Sequence, residues 1–285
     1  MTAIAYQGEP GAFGEEAVLG WFGPDATPVG VPTFSAVCAA VESGQADAGV
    51  LPLENSLAGT VGDALDALAG GALRVIGEVL LPIRHQLLVV PGATLSDVRR
   101  VSSHWQALAQ CERFLTGRGW EVVPAADTAG AARELAASRD RSSAAIASRA
   151  AAARYGLEVA EADIQDSDHN MTRFAVLAAV GAGAIPEPAG PLAPSGGGRE
   201  TLITFETGHR PGDLVRALAV LADAGINLSR IESRPSGEGP WRYRFLVQVS
   251  GDAERRPLRE ALGGVREHTR SMRVLGSFNT AARDD

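Results

Sequence analysis

From Ala3 to Val180, short apolar runs alternate with stretches whose apolar residues recur every three or four positions. The runs predict strands and the spaced stretches predict amphipathic helices. Strands are expected at residues 3–8, 29–34, 48–53, 98–101, 122–125, 144–147 and 173–180. Helices are expected at 15–22, 62–69, 106–115, 129–137 and 150–155, with a further one running to Glu42 from an N-cap at Ser35. The long apolar run 75–90 contains Pro82, which has no amide to donate and so divides it into two extended pieces. Alternation of this kind predicts an α/β unit with mostly parallel sheets.

The pattern stops at Gly181. The stretch GAGAIPEPAGPLAPSGGGR has no periodic apolar face, and its Gly and Pro residues disfavour helix and sheet alike. It reads as a linker, which divides the chain into residues 1–180, a connection at 181–199 and a smaller unit at 200–280. Past it come a strand at 201–207, a helix at 213–224, strands at 226–233 and 242–249, a helix at 258–269 and a strand at 272–278. The order βαββαβ predicts a ferredoxin-like sandwich. Gly212 is placed to start its first helix and Gly225 to occupy the C′ position after it.

Charge narrows the function. A net charge of −8 argues against a general nucleic-acid binder, which needs a basic surface. It leaves room for an anionic small substrate, because local Arg side chains and helix N-termini can outweigh a diffuse acidic surface. Cys38 and Cys111 each lie in an apolar stretch without zinc-site spacing and are expected as buried, reduced thiols. The start MTAIAYQG lacks the features of a secretory signal, and no stretch approaches the roughly 20 apolar residues of a membrane span. A cytoplasmic location is the expectation.

Four loop motifs lie where strands end, the place where open α/β sheets bind ligands. Tyr6-Gln7-Gly8-Glu9-Pro10-Gly11-Ala12-Phe13 either brings backbone close to a ligand or serves as a structural turn. Leu53-Glu54-Asn55-Ser56, running on to Thr60, ends a buried strand in small polar groups suited to a carboxylate or to helix capping. Ser102-Ser103-His104-Trp105-Gln106 offers a second anion cradle, with His104 as a conceivable general base. Asp166-Ser167-Asp168-His169-Asn170-Met171-Thr172-Arg173-Phe174 delivers a hydroxyl, a guanidinium and an aromatic ring together. Its acidic residues and His169 lack partners elsewhere to complete a metal site, so no metal is expected.

Taken in order, YQGEPGAF, VLPLENSLAGTV, SHWQALAQCERFL, NMTRF and GINLSRIESRP resemble the prephenate dehydratase family over nearly the whole chain. The resemblance implies a two-lobed catalytic unit like a periplasmic binding protein, with the site in the cleft, and a C-terminal ACT domain. It implies decarboxylating dehydration of prephenate to phenylpyruvate in phenylalanine synthesis, with no cofactor. Catalysis falls to Thr172, Arg173 and Phe174, with Thr172 assisting departure of the ring hydroxyl and Arg173 holding either a carboxylate or its own loop. Glu54, Asn55, Ser56, Thr60, Ser102, Ser103 and Gln106 are the expected substrate-binding residues. Phenylalanine is expected as allosteric effector at Gly212, Asp213, Leu214, Asn227, Leu228, Glu232, Ser233, Arg234 and Pro235, between ACT domains paired in a homodimer or homotetramer.

The chain departs from the family pattern in places. Ala12 stands where a Thr is common, which resembles the loop of arogenate-using relatives. Trp105 replaces a common Pro, and Asp213 a common Ala. Two alternatives stay open on the sequence: an arogenate dehydratase, and a non-catalytic solute-binding protein of the same two-lobed fold.

Overall fold

The computed structural model describes residues 2–183, 185–194 and 198–280. The first lobe contains β1 (Thr2–Gln7), α1 (Phe13–Phe22), β2 (Ala26–Val31), α2 (Phe34–Glu42), β3 (Ala48–Asn55), β4 (Gly59–Thr60), α3 (Gly62–Gly70) and β5 (Leu73–Pro82). The second contains β6 (Gln86–Val89), β7 (Arg100–His104), α4 (Trp105–Gln110), α5 (Glu112–Leu115), β8 (Glu121–Ala125), α6 (Thr128–Ser138), β9 (Ser143–Ala147), α7 (Arg149–Tyr155) and β10 (Glu158–Glu161). The chain then returns to the first lobe as β11 (Met171–Ala179). The two sheets run β2-β1-β3-β11-β5, with β4 on β3, and β10-β6-β9-β7-β8.

Pro82 ends the first piece of the divided apolar run, and the second piece begins the other lobe. The two crossings brace each other. Ile83 N donates to Asn170 O at 2.8 Å and Ile164 N to His85 O at 2.9 Å, while His85 N donates to Gln165 Oε1 at 3.0 Å. Crossing twice reverses the chain, so the sheets are mixed rather than mostly parallel. β11 is antiparallel to both β3 and β5, and β6 is antiparallel to β9 and β10.

Other local expectations also shift. The second strand begins earlier, at Ala26, and the N-cap of α2 is Thr33 rather than Ser35. Thr33 has an extended backbone, and its hydroxyl accepts from Ala36 N at 3.1 Å, whereas Ser35 already lies inside the helix. The helix expected at 106–115 is interrupted at Cys111. Cys38 and Cys111 are free and buried. Burial pushes their thiols up to about 11 and about 12, respectively.

The C-terminal unit holds β12 (Arg199–Glu206), α8 (Asp213–Asp223), β13 (Leu228–Pro235), β14 (Tyr243–Ser250), α9 (Leu258–Glu267) and β15 (Ser271–Asn279). Its strand order, β13-β14-β12-β15, is that of a ferredoxin-like sheet. Gly225 follows the C-cap of α8 with φ 69°. The two helices cover one face through Ile203, Phe205, Val247, Leu221 and Leu262.

The other face is not left to solvent. Leu202, Leu246, Leu275 and Phe278 join Leu73, Val75 and Leu177 of the first lobe in one core. Each such buried side chain contributes roughly 1.5–3 kcal/mol. Arg273 adds polar contacts at the C-terminal end of α3, donating to Gly71 O at 2.7 Å and Ala69 O at 3.0 Å. The connecting segment is also tied down, because Ala189 N and Gly190 N donate to Trp21 O and Leu192 N to Gly20 O. Ala184 and residues 195–197 of that segment lie outside the described residues.

β15 passes so close to β5 that only glycine fits at the crossing. A β-carbon on Gly276 would lie 2.0 Å from the Val75 carbonyl oxygen. Gly276→Ala is therefore expected to cost about 1–3 kcal/mol as an overpacking change against rigid backbone. It should lower the thermal unfolding midpoint by several degrees and speed proteolysis between the C-terminal unit and the first lobe. An unchanged midpoint and cleavage rate would show that the two units do not depend on this contact.

Candidate active site

The four motifs meet at a cleft of about 450 Å³ between the lobes. Gln7, Gly8, Ala12, Phe13 and Gly14 line it from the first loop and the start of α1. Pro52 and Asn55 come from β3, Thr172 and Phe174 from β11, and His104, Trp105 and Gln106 from the end of β7 and the start of α4. Ile83 and His85 on the first crossing close its floor, and Asp63, Asp127 and Thr128 add polar edges.

Thr172 is 7% exposed and lies opposite Asn55 in the β11–β3 register. Its Oγ1 accepts a hydrogen bond from Asn55 Nδ2 at 3.0 Å. The acceptor side of the hydroxyl is thus occupied by an amide, and its own proton remains available to a group in the cleft. Asn55 is fixed in turn. Its Nδ2 also donates to Asn170 Oδ1 at 2.8 Å, and its Oδ1 accepts from Leu57 N and Ala58 N at 3.1 and 2.9 Å. Gln110 extends the network, donating to Asn55 Oδ1 at 3.3 Å and accepting from Asn170 Nδ2 at 3.0 Å.

His85 joins at the far end, with Nε2 2.9 Å from Gln110 Oε1. That oxygen accepts already, so Nε2 carries the proton. Burial holds the His85 imidazolium below its ordinary range, only partly offset by this hydrogen bond. Burial likewise lowers His104, against the opposing pull of Asp127. His85, Gln110 and Asn170 carried no assigned role in the sequence reading. The one available signal was polar His85 interrupting an apolar run just past Pro82.

Arg173 does not enter the cleft. Neighbouring strand residues face opposite sides, and Thr172 and Phe174 hold the cleft side. The Arg173 guanidinium lies behind the sheet, 3.5 Å from Glu78 and 3.9 Å from Glu54. Glu54 is there because of a β-bulge. Arg173 pairs with Glu54 but Phe174 pairs with Pro52, leaving one extra residue, Leu53, in β3. The bulge flips the alternation, so Asn55 faces the cleft and Glu54 the C-terminal unit.

Behind the sheet the charges continue into β13. Buried Arg230 lies 3.6 Å from Glu54 and donates to Leu53 O at 3.1 Å. Burial lowers its guanidinium, with Glu54 and Glu232 acting against that shift. Thr60 Oγ1 donates to Glu232, and Arg234 makes a two-pronged contact with Asp66 at 3.0 and 2.6 Å.

Several expected substrate-binding residues therefore have other work. Glu54 and Thr60 face the C-terminal unit. Ser56 Oγ donates to His169 O and accepts from Met171 N, closing the loop beneath the cleft. Ser103 is fully buried and donates to Ile146 O at 2.6 Å. Ser102 also lies within β7 and off the cleft wall. Asn55 and Gln106 remain on it.

In the C-terminal unit, Gly212 has φ 83° at the N-cap of α8, and Asp213 Oδ2 accepts from Arg210 N at 2.9 Å. Asp213 borders a cavity of about 540 Å³ lined also by Arg210, Arg216, Arg242 and Arg270, whereas Gly212 is not part of its wall. Leu214 and Leu228 pack into the domain's own core, Asn227 brackets Ser250 through backbone bonds, and Ser233 and Pro235 are exposed.

Comparison with known proteins places this geometry. Residues 4–181 match the prephenate dehydratase family and residues 201–267 the ACT domain. Arogenate dehydratase/prephenate dehydratase 2 of Arabidopsis thaliana is 40% identical over 96% of this chain and 72% of its own. The bifunctional chorismate mutase/prephenate dehydratase of Neisseria gonorrhoeae is 36% identical over 98% of this chain and 74% of its own. The crystal structure of prephenate dehydratase from Arthrobacter aurescens in complex with L-Phe superimposes with a TM-score of 0.87 at 34% identity, covering 98% of this chain and 90% of that one. The chain belongs to the prephenate dehydratase family.

Proposed function

We propose that this chain catalyses the decarboxylating dehydration of prephenate to phenylpyruvate under control by L-phenylalanine. The observation that carries the catalytic reading is the Thr172 hydroxyl, which accepts from Asn55 and so keeps its proton for the cleft. In the reaction the bond from the ring to its carboxylate breaks, and that electron pair enters the ring. The bond from the opposite ring carbon to the hydroxyl breaks with its pair on oxygen. Carbon dioxide and water leave, and the new ring is aromatic.

The protein's task is to place the substrate and assist the departing oxygen. Thr172 hydrogen-bonds or protonates it, and the Asn55 amide stabilises the charge that develops on Oγ1. Such assistance is typically worth about 10²–10⁴-fold. A threonine hydroxyl is a weak acid in water, and a fixed donor in a water-poor cleft is the setting in which it becomes effective. Phe174 forms apolar wall beside it. Arg173 acts behind the sheet, orienting the strand that carries Thr172.

For the effector we propose a site in paired ACT domains of a homodimer or homotetramer. β13 is an edge strand, and Ile231 on it is 40% exposed, which suits pairing with a second copy. The Gly212–Leu214 turn and residues 232–235 are the proposed phenylalanine contacts. Glu232 and Arg234 also hold the first lobe, so an effector that shifts β13 acts on both.

Incubation with prephenate is expected to produce phenylpyruvate faster than the spontaneous reaction. Thr172→Ala should lower kcat about 10²-fold or more, and Thr172→Ser should restore most of it. If the alanine variant kept activity within a few-fold of wild type, Thr172 would have no role in the chemical step.

Arg230→Met tests the link between the units. Removing one partner of a buried pair costs about 3–5 kcal/mol, and less here because Glu54 is partly hydrated. The variant should unfold at lower denaturant and need several-fold more phenylalanine for half inhibition. Inhibition curves that superimpose on wild type would eliminate Arg230 as a coupling residue.

A further inference from the structure

The described residues that line the cleft include no Lys or Arg, so its donors are neutral amides and hydroxyls. A side-chain amide offers hydrogen on one side and oxygen on the other. How each amide is turned therefore decides what Thr172 meets. The turning of three of them is fixed in order. Leu57 N and Ala58 N hold Asn55 Oδ1, so Asn55 Nδ2 faces Asn170 Oδ1 and Thr172. Asn170, its oxygen taken, offers Nδ2 to Gln110 Oε1 at 3.0 Å. Gln110 then has its Nε2 toward Asn55 Oδ1 at 3.3 Å.

Gln110 is the member hardest to hold. Asn55 and Asn170 are buried on short side chains. Gln110 reaches across from α4 of the second lobe, is only half-buried, and makes the longest bond of the set. Fixing a side chain of its length costs more rotamer freedom than fixing an Asn. Its oxygen supplies the hold. Oε1 accepts from Asn170 and also lies 2.9 Å from His85 Nε2, so both of its lone pairs are used.

His85 is a rigid donor for that oxygen. It is 2% exposed, its backbone is pinned by Gln165 and Ile164, and its ring meets Phe13 edge-on at 5.6 Å. Its Nδ1 is buried with no hydrogen-bond partner among the described residues. An unpaired buried acceptor is a cost, and an apolar side chain would fill the same floor without it. Packing alone does not explain an imidazole here, whereas the Nε2–H on Gln110 does.

Resting on the dehydratase reading above, we propose that His85 is a positioning residue for the chemical step. It locks the Gln110 amide across the lobes and, through Asn170 and Asn55, keeps the Thr172 proton turned to the departing hydroxyl. Without the imidazole donor, Gln110 Oε1 keeps a single partner and the buried Asn170 amide follows a moving acceptor. The Asn55 amide that serves Thr172 shifts with it. His85 touches no reacting atom, so its loss falls on kcat more than on KM.

The test measures kcat and KM on prephenate for the full-length wild type, His85→Leu, His85→Gln, Gln110→Leu and the His85→Leu/Gln110→Leu double variant, each checked by thermal unfolding. Leucine fills the floor without a donor, and glutamine sets an N–H near the place of the imidazole Nε2. His85→Leu should melt close to wild type and lower kcat about tenfold, as one lost hydrogen bond can, with KM moved less than about threefold. His85→Gln should recover most of that loss. In the Gln110→Leu background, His85→Leu should cost less than about twofold more, because the two residues act in series. If His85→Leu does not fold, His85→Met, also without a donor, is read in its place. A donor-less variant with kcat within about twofold of wild type, a His85→Gln variant equally impaired, or losses that multiply in the double variant would each overturn the proposal and leave the dehydratase reading standing. A wild type inert toward prephenate overturns the dehydratase reading, and this proposal with it.

Discussion

Adjacent side chains on a β-strand point to opposite faces, and β11 puts that constraint to use. Thr172 faces the cleft and Arg173 faces the C-terminal unit, with one peptide bond between them. The arrangement works only because β3 carries one extra residue opposite that step. Without the bulge at Leu53, the alternation along β3 would turn Glu54 to the cleft and Asn55 to the back. Thr172 would lose the amide that orients it, and Arg173 one of its two carboxylate partners. Bulges are commonly found where a strand must re-aim a side chain, and here a single one serves the site and the inter-domain surface together.

The cleft is organised by amides more than by charges. Asn55, Gln110 and Asn170 satisfy one another, hold Thr172 from one side and reach His85 at the other. In a buried setting such a network gains from the low local dielectric as long as every member is bonded. It positions a weak acid without a formal charge beside it, and leaves little electrostatic cushion for a dianionic substrate.

Much of this architecture was legible in the sequence, for physical reasons that can be named. Apolar periodicity located nearly every helix and strand, Pro82 marked the crossing between lobes, and the βαββαβ order defined the C-terminal sheet. Mixed strand direction was not legible, because periodicity reports which face is buried and not which way a neighbour runs. Four motifs were placed at strand ends, where open α/β sheets bind ligands, yet only Asn55, Gln106, Thr172 and Phe174 among the expected catalytic and substrate-binding residues reach the cleft. Glu54, Thr60 and Arg173 look like ligand-binding groups in one dimension. Arg230 and Glu232, the partners of Glu54 and Thr60, lie about 170 residues away along the chain, Arg173 pairs with Glu54 and Glu78, and the bulge that turns Glu54 has no local signature. Ser103 looked like a loop hydroxyl and is a strand residue bonded to Ile146 O.

The C-terminal unit holds the first lobe at several points. Arg230, Glu232, Arg234, Gln248 and Arg273 all bond to it, as do the apolar residues of the shared core. The second lobe is joined to the first through residues 83–85 and 162–170, whose bonds pair crossing with crossing, and through α7 and its N-cap, where Ser148 Oγ donates to Gly11 O and Tyr155 OH to Pro10 O. Control of catalysis from the C-terminal unit therefore has to act where that unit grips, at the first lobe, and Glu54, shared by Arg230 of β13 and Arg173 of β11, is the point of grip closest to the chemistry. Allosteric coupling typically amounts to about 1–3 kcal/mol. Loss or rearrangement of one half-buried ion pair is of that order. A shift of β13 that moved Arg230 off Glu54 would leave Arg173 to redistribute between Glu54 and Glu78. The strand position of Thr172 would respond without any movement of the second lobe.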